Sequence, residues 1–136
     1  MKMSLREWLT NHWLIEQPAD AKEVLFLLAI SDREVAGSGV AYAAALQSAA
    51  AALAACGYRA ERAGYHFRVI DSLRLTVGMD ALVVARLDRA RRKRNLSDYE
   101  RPDVVSRQEA DEMQDLAQDV RRLVGDWLTA NHPELL

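Results

Sequence analysis

The chain contains an alanine-rich stretch, VAYAAALQSAAAALAAC, that runs from Val40 to Cys56. Alanine has the highest helix propensity of all residues, so this stretch predicts a helix on propensity alone. Its small side chains also permit the close approach of neighbouring helices. Gly57 follows directly and is a natural C-terminal cap, because glycine readily adopts the left-handed conformation in which many helices end. We therefore expect other helices to pack closely against this one.

Segments on both sides of this stretch also carry helical patterns. Ser4 and Glu7 form a capping-box pattern at the start of a short first helix that should end near Ile15. Gly78 is followed by a very short connection, so the helices before and after it should be antiparallel neighbours. The remaining helices are predicted to start near Ala19, to span Arg62 to Val77, to begin near Ala81, and to run from Ser106 to just before Pro133.

No credible β-strand pattern interrupts these helices. The predicted fold is therefore all-α: an up-and-down antiparallel helical bundle of four to five main helices plus a short N-terminal helix. With 136 residues, of which 50% are hydrophobic, the chain is long enough for one real core but not for two. We expect a single domain over residues 1–136.

Composition limits the classes of function. The formal net charge of −2 gives no global attraction to nucleic acid or to a membrane, so any such attraction must be local. The single cysteine, Cys56, excludes an internal disulfide framework and is interpreted as a small core residue. The sequence has no metal-ligand motif, no glycine-rich phosphate loop and no apolar run that would span a membrane. We expect a cytoplasmic protein without metal or cofactor.

A cluster of positive charge, which the net charge of the whole chain does not reveal, lies in the predicted helix after Gly78. Six basic residues fall within nine positions: Arg86, Arg89, Arg91, Arg92, Lys93 and Arg94. On a helix, Arg94 shares a face with Val83, Leu87 and Ala90, which predicts that it points inward. A second face that water can reach carries Arg86, Arg89 and Lys93. An inward guanidinium is costly to bury unpaired, so Arg94 requires an acceptor, a cleft or an anionic ligand.

His66 is the second candidate for chemistry. It lies on one line with Ile70, Leu73 and Val77, which predicts an inward position in the helix before Gly78. Antiparallel packing would place it at nearly the same height as Arg94. A histidine on an apolar face is either a hydrogen-bonded core residue or a functional group, and the sequence leaves both open. The tryptophans at 8, 13 and 127 are interpreted as core or interface residues rather than as base-stacking platforms.

The stretch RRKRNLSDYE (91–100) resembles the HEPN superfamily (higher eukaryotes and prokaryotes nucleotide-binding domain), in which an arginine near a helix end is followed by a polar residue and then a histidine or aromatic residue. AYAAALQSAAAALAACGYR (41–59) and HFRVIDSL (66–73) are similar to small bacterial members, so the likeness covers about Val24 to Tyr99. The resemblance implies a helical bundle, a homodimer, and a role in toxin–antitoxin or phage-defence modules or beside a minimal nucleotidyltransferase.

The resemblance also assigns residues to a site. Arg94 matches the arginine of the family motif, Asn95 the polar residue after it, and Tyr99 the position of the histidine. A tyrosine with an ordinary pKa near 10 is a poor general base at neutral pH, whereas histidine exchanges protons readily. The substitution therefore argues against metal-independent RNase activity by the mechanism of the family.

Three functional hypotheses follow. In the first, Arg94, Asn95 and Tyr99 bind RNA or a nucleotide in a cleft, and the candidate set also includes His66, Arg91 and Asp98. In the second, the chain is a ribonuclease that uses Arg94 with His66 or Tyr99. In the third, the chain is a structural subunit of a nucleotidyltransferase pair, and Arg94 pairs with Asp98 or with an acid of the last helix such as Asp115.

Overall fold

The fold is all-α, as the sequence predicts. The computed structural model describes residues 3–36, 41–99 and 107–136, without the side chains of residues 34–36, 93–99 and 107. The elements in chain order are α1 (Leu5–Thr10), β1 (Leu14–Glu16), α2 (Ala21–Ala36), α3 (Ala41–Ala55), β2 (Tyr58–Ala60), α4 (Tyr65–Asp71), α5 (Leu73–Thr76), α6 (Ala81–Tyr99) and α7 (Arg107–Asn131), followed by a short 3-10 turn (Pro133–Leu135).

The alanine-rich helix α3 is the centre of the bundle. It packs mainly against α2 and α7, while α4, α5, α6 and β2 contact its remaining sides. Most of its alanines have almost no exposed surface, because their short side chains let α2 and α7 approach closely. The partner helices fill the space with larger apolar side chains: Val24 and Leu28 from α2, and Ala117, Val120, Val124 and Leu128 from α7.

A two-stranded antiparallel sheet replaces the end of the predicted first helix. The capping box of Ser4 and Glu7 is present, but α1 ends at Thr10, and the expectation that it reaches Ile15 is wrong. His12 adopts a left-handed conformation (φ 63°) that reverses the chain, after which Ile15 pairs with Arg59 in the sheet. The expectation that no strand interrupts the helices is therefore also wrong, because a three-residue strand is too short to produce a readable alternation.

The predicted helix from Arg62 to Val77 is two shorter helices. Gly64 has φ 67°, a left-handed conformation that a helix interior does not contain, so α4 starts only at Tyr65. The chain breaks again at Ser72, whose hydroxyl donates to the carbonyl oxygen of Val69 at 2.6 Å and competes with the helical pattern. Gly78 ends the segment with φ 72°, and α4 then packs against α6 as the short connection predicts.

Candidate functional site

The basic helix α6 is anchored to the bundle by a short apolar line. Its first turn is capped by Asp80, whose carboxylate accepts a hydrogen bond from the backbone N–H of Leu82 at 2.7 Å. Val84 is 5% exposed and Leu87 is fully buried, so this side of the helix faces the core. Arg86 and Arg89 lie on the other side and are exposed, as predicted.

Asp88 is the acid that partly neutralises the basic segment. Its carboxylate contacts Arg91 Nε at 2.8 Å and Arg92 Nε at 3.5 Å, so one acid forms ion pairs with two arginines. The Arg91 side chain is only 22% exposed, while the Arg92 side chain is 64% exposed. Arg91 is therefore held along the helix by its ion pair, and it has less freedom than Arg92 to reach an external phosphate.

The motif residues continue the same helix. The backbone of α6 remains helical through Arg94, Asn95, Asp98 and Tyr99, and their side chains lie outside the described part of the structure. Arg94 follows the buried Leu87 by seven residues, which is close to two helical turns. Helical spacing therefore puts the Arg94 backbone position on the same side of α6 as Leu87, and the inward orientation of the Arg94 side chain stays a prediction.

His66 does not lie on an inward line, so that expectation is wrong. It is exposed, whereas Val69 and Ile70 on the same helix are each 1% exposed. The reason is the late start of α4, which puts His66 in the first turn at the open end of the helix. Its ring lies 6.2 Å from the ring of Tyr42 and 5.9 Å from the ring of Tyr65, measured between centroids.

A small recess lies between α2, α3, α4 and β2, and it is lined by neither His66 nor Arg91, the two candidate residues whose side chains the structure describes. Its volume is about 70 Å³, and its polar lining comes from Glu23, Tyr58, Arg59 and Tyr65. Burial raises the pKa of Tyr65, Arg59 opposes this shift, and Glu23 adds to it. Ligand pockets usually occupy roughly 300 Å³ or more, so the recess is too small for a nucleotide.

Arg68 forms a cluster with aromatic rings that the sequence analysis missed. Its guanidinium carbon lies 4.0 Å from the ring centroid of Trp13, 5.1 Å from that of Trp8 and 5.3 Å from that of Phe67. Burial lowers the pKa of Arg68, and the carboxylate of Asp71 opposes that shift. No sequence pattern signals this cluster, because α1, the following turn and α4 meet only in the folded chain. Cation–π contacts of this kind stabilise the packing of α4 against the N-terminal segment.

The chain has no match among known proteins in the comparisons of sequence and structure: no protein-family model, curated protein or solved structure matches it. Among the described residues, no group of histidine, cysteine, aspartate and glutamate side chains has the arrangement of a metal site. Within the same part of the chain, no helix is long and apolar enough to cross a membrane.

Proposed function

We propose that this chain is a HEPN-like module that binds RNA or a nucleotide and lacks metal-independent RNase activity. The likeness of residues 91–100 to the family motif supports the proposal, and so does the all-α bundle, which is the fold that the resemblance implies. The proposed setting is a cytoplasmic toxin–antitoxin or phage-defence system, with residues 1–136 acting as one domain.

The observation that carries the proposal is the charge of α6. Six basic residues and one acid lie between positions 86 and 94, so this segment carries an excess of positive charge that Asp88 offsets only in part. A basic cluster of this kind attracts phosphates, and the attraction weakens as salt rises. This local field acts on a phosphate backbone although the whole chain has a net charge of −2.

Specific recognition is assigned to the end of the same helix. Arg94 offers a planar fork of donors that matches a phosphate, and Tyr99 offers an aromatic ring on which a base can stack. Asn95 supplies both a donor and an acceptor for a base edge. Tyr99 has no imidazole to exchange a proton at neutral pH, so bound RNA is expected to stay intact.

The proposed partners follow from the same resemblance. One is a second copy of this chain, so that two sets of Arg94, Asn95 and Tyr99 share a cleft. The other is a nucleotidyltransferase subunit. Neither partner requires a metal or a cofactor in this chain.

A binding assay that also records RNA integrity tests the proposal. The purified chain is titrated into a labelled RNA in the presence of EDTA, and the bound fraction and the RNA length are measured together. We expect binding that weakens steadily as salt is raised above about 0.1 M, with the RNA uncut. Absence of binding to RNA and to nucleoside phosphates at low salt would overturn the proposed function. Cleavage in EDTA would instead support the ribonuclease hypothesis.

A further inference from the structure

Two helices expose lines of opposite charge, each with one leucine. On α6 the line consists of Leu82, Arg86 and Arg89, and on α7 it consists of Asp115, Asp119 and Leu123. Leu82 is 77% exposed and Leu123 is 46% exposed. Steps of three or four residues place the members of each line on one side of a helix. We call these the α6 line and the α7 line.

The charges on these lines have few partners of their own. Arg86, Arg89 and Asp115 form no ion pair with a described residue, and Asp119 contacts Arg122 at 3.2 Å with both side chains more than half exposed. An ion pair with this exposure contributes little to stability. Both lines are therefore available to a charged partner.

No residue in the described part of the chain covers either line, and all six side chains are exposed. Both α6 and α7 pack against α3, but within their described lengths they pack little against each other. This arrangement leaves the α6 line and the α7 line open although their charges are complementary. The complementary charge of the two lines, rather than the single exposed leucines, indicates an interaction surface.

We propose that the α6 line of one copy packs antiparallel against the α7 line of a second copy. In this register Leu82 faces Leu123 of the other copy, and the two arginines follow in order against the two aspartates. The α6 line is about 10.5 Å long and the α7 line about 12 Å long at a rise of about 1.5 Å per residue, so all three pairs align. We place this contact on a two-fold axis, on which each copy supplies one line of each charge and the contact forms twice.

The occupant is a second copy because the two lines complement each other in charge, order and spacing. The inference specifies the interface of the homodimer in the proposed function, and it stands without RNA binding. It also gives Arg86 and Arg89 a role separate from that of Arg94, which lies on a different face of α6.

Charge reversal tests the interface. The variant R86E/R89E carries an acidic α6 line, and D115R/D119R carries a basic α7 line, so each homodimer contains two repulsive contacts. We expect each variant alone to dimerise at least about tenfold more weakly than the unchanged chain in sedimentation equilibrium. In an equal mixture, one contact pairs the reversed lines and the other pairs the natural lines. Both contacts are then attractive, so the mixture should form a mixed dimer.

Matched measurements separate the interface from general charge effects. K22E/R62E reverses two exposed basic residues outside both lines and should dimerise like the unchanged chain. Circular dichroism should show the same helical signal for all variants.

The proposal is overturned if the unchanged chain is monomeric at every concentration, which would leave the lines to RNA or to a different protein. It is also overturned if the mixture of reversed variants does not associate. RNA binding is measured separately, so loss of the dimer is distinct from failure of the proposed function.

Discussion

The hydroxyl oxygens of Ser31 and Ser48 lie 2.7 Å apart in the buried contact between α2 and α3. The Ser31 hydroxyl also donates to the backbone carbonyl oxygen of Ala44 at 2.8 Å, which uses its one proton. Ser48 must therefore donate to Ser31. Both serines are fully buried, so this chain of two hydrogen bonds satisfies polar groups in an otherwise apolar contact.

The direction of these hydrogen bonds predicts unequal costs for removing each serine. Ser31→Ala leaves the buried Ser48 hydroxyl without its acceptor and should lower the free energy of unfolding by about 1–3 kcal/mol. Ser48→Ala leaves Ser31 bonded to Ala44 and should cost about 1 kcal/mol. The double variant should cost less than the sum of both. Urea denaturation of the three variants measures these values. Strict additivity would contradict the contact between the two hydroxyls, and equal costs for the two single variants would contradict the direction of donation.

A glycine in α7 makes room for an ion pair with α2. Arg121 Nε lies 2.7 Å from Asp32 Oδ1, and a Cβ atom added at Gly125 would lie 2.8 Å from Arg121 Nη1. Gly125→Ala alone should therefore raise stability by less than the gain of about 1 kcal/mol expected for alanine in a helix. In an Arg121→Ala background the same substitution should give the full gain. A double-mutant cycle by thermal unfolding checks this. Equal gains in stability in both backgrounds would show that the Arg121 side chain does not limit the substitution at Gly125.

The stacking of Arg68 predicts a difference between arginine and lysine. Arg68→Ala should lower the free energy of unfolding by about 1–2 kcal/mol and change the tryptophan fluorescence, because the guanidinium contacts Trp8 and Trp13. Arg68→Lys keeps the charge but loses the planar group, so it should restore only part of the stability. Exposed Arg62→Ala is the matched control and should change neither value. Full rescue by lysine would mean that charge alone matters.

Burial raises the pKa of the Cys56 thiol to about 11 from an ordinary value of 9.0. The thiolate reacts with alkylating reagents, so Cys56 in the folded chain should react about 100-fold more slowly at pH 8 than in the unfolded chain. The folded state holds the thiol proton more tightly. The contribution of Cys56 to stability is therefore present below about pH 9 and is lost as the pH rises toward 11. Iodoacetamide labelling in buffer and in urea measures the ratio, and equal rates would contradict the burial of this thiol.

The parts of the fold that the sequence predicted correctly depend on local signals. The alanine content of α3, the capping box at Ser4 and the helix-ending glycines at 57 and 78 act within a few residues of the chain. The strand pair β1–β2 depends on a contact between segments more than forty residues apart, and each strand has only three residues. Its formation follows from the turn at His12, which no local pattern signals.

The residues of the candidate site were likewise predictable only where the signal lies within one helix. Helical periodicity correctly predicted that Arg86 and Arg89 are exposed and that Leu87 is buried. Periodicity failed for His66, because the position of the residue depends on where α4 begins, and the left-handed Gly64 moves that start to Tyr65. The contact between Arg68 and the tryptophans was not predictable, since periodicity within one helix gives no information about the segment packed against it.

The most direct test of the proposed function compares two arginines on one helix. The affinity for one labelled RNA is measured at about 0.1 M salt for the unchanged chain, Arg94→Ala and Arg86→Ala. The proposed cleft predicts that Arg94→Ala abolishes binding, while Arg86→Ala weakens it by less than about tenfold, as expected for one exposed charge. An equal loss in both variants would contradict the cleft, because it would mean that RNA is attracted only by the charge on the surface of α6.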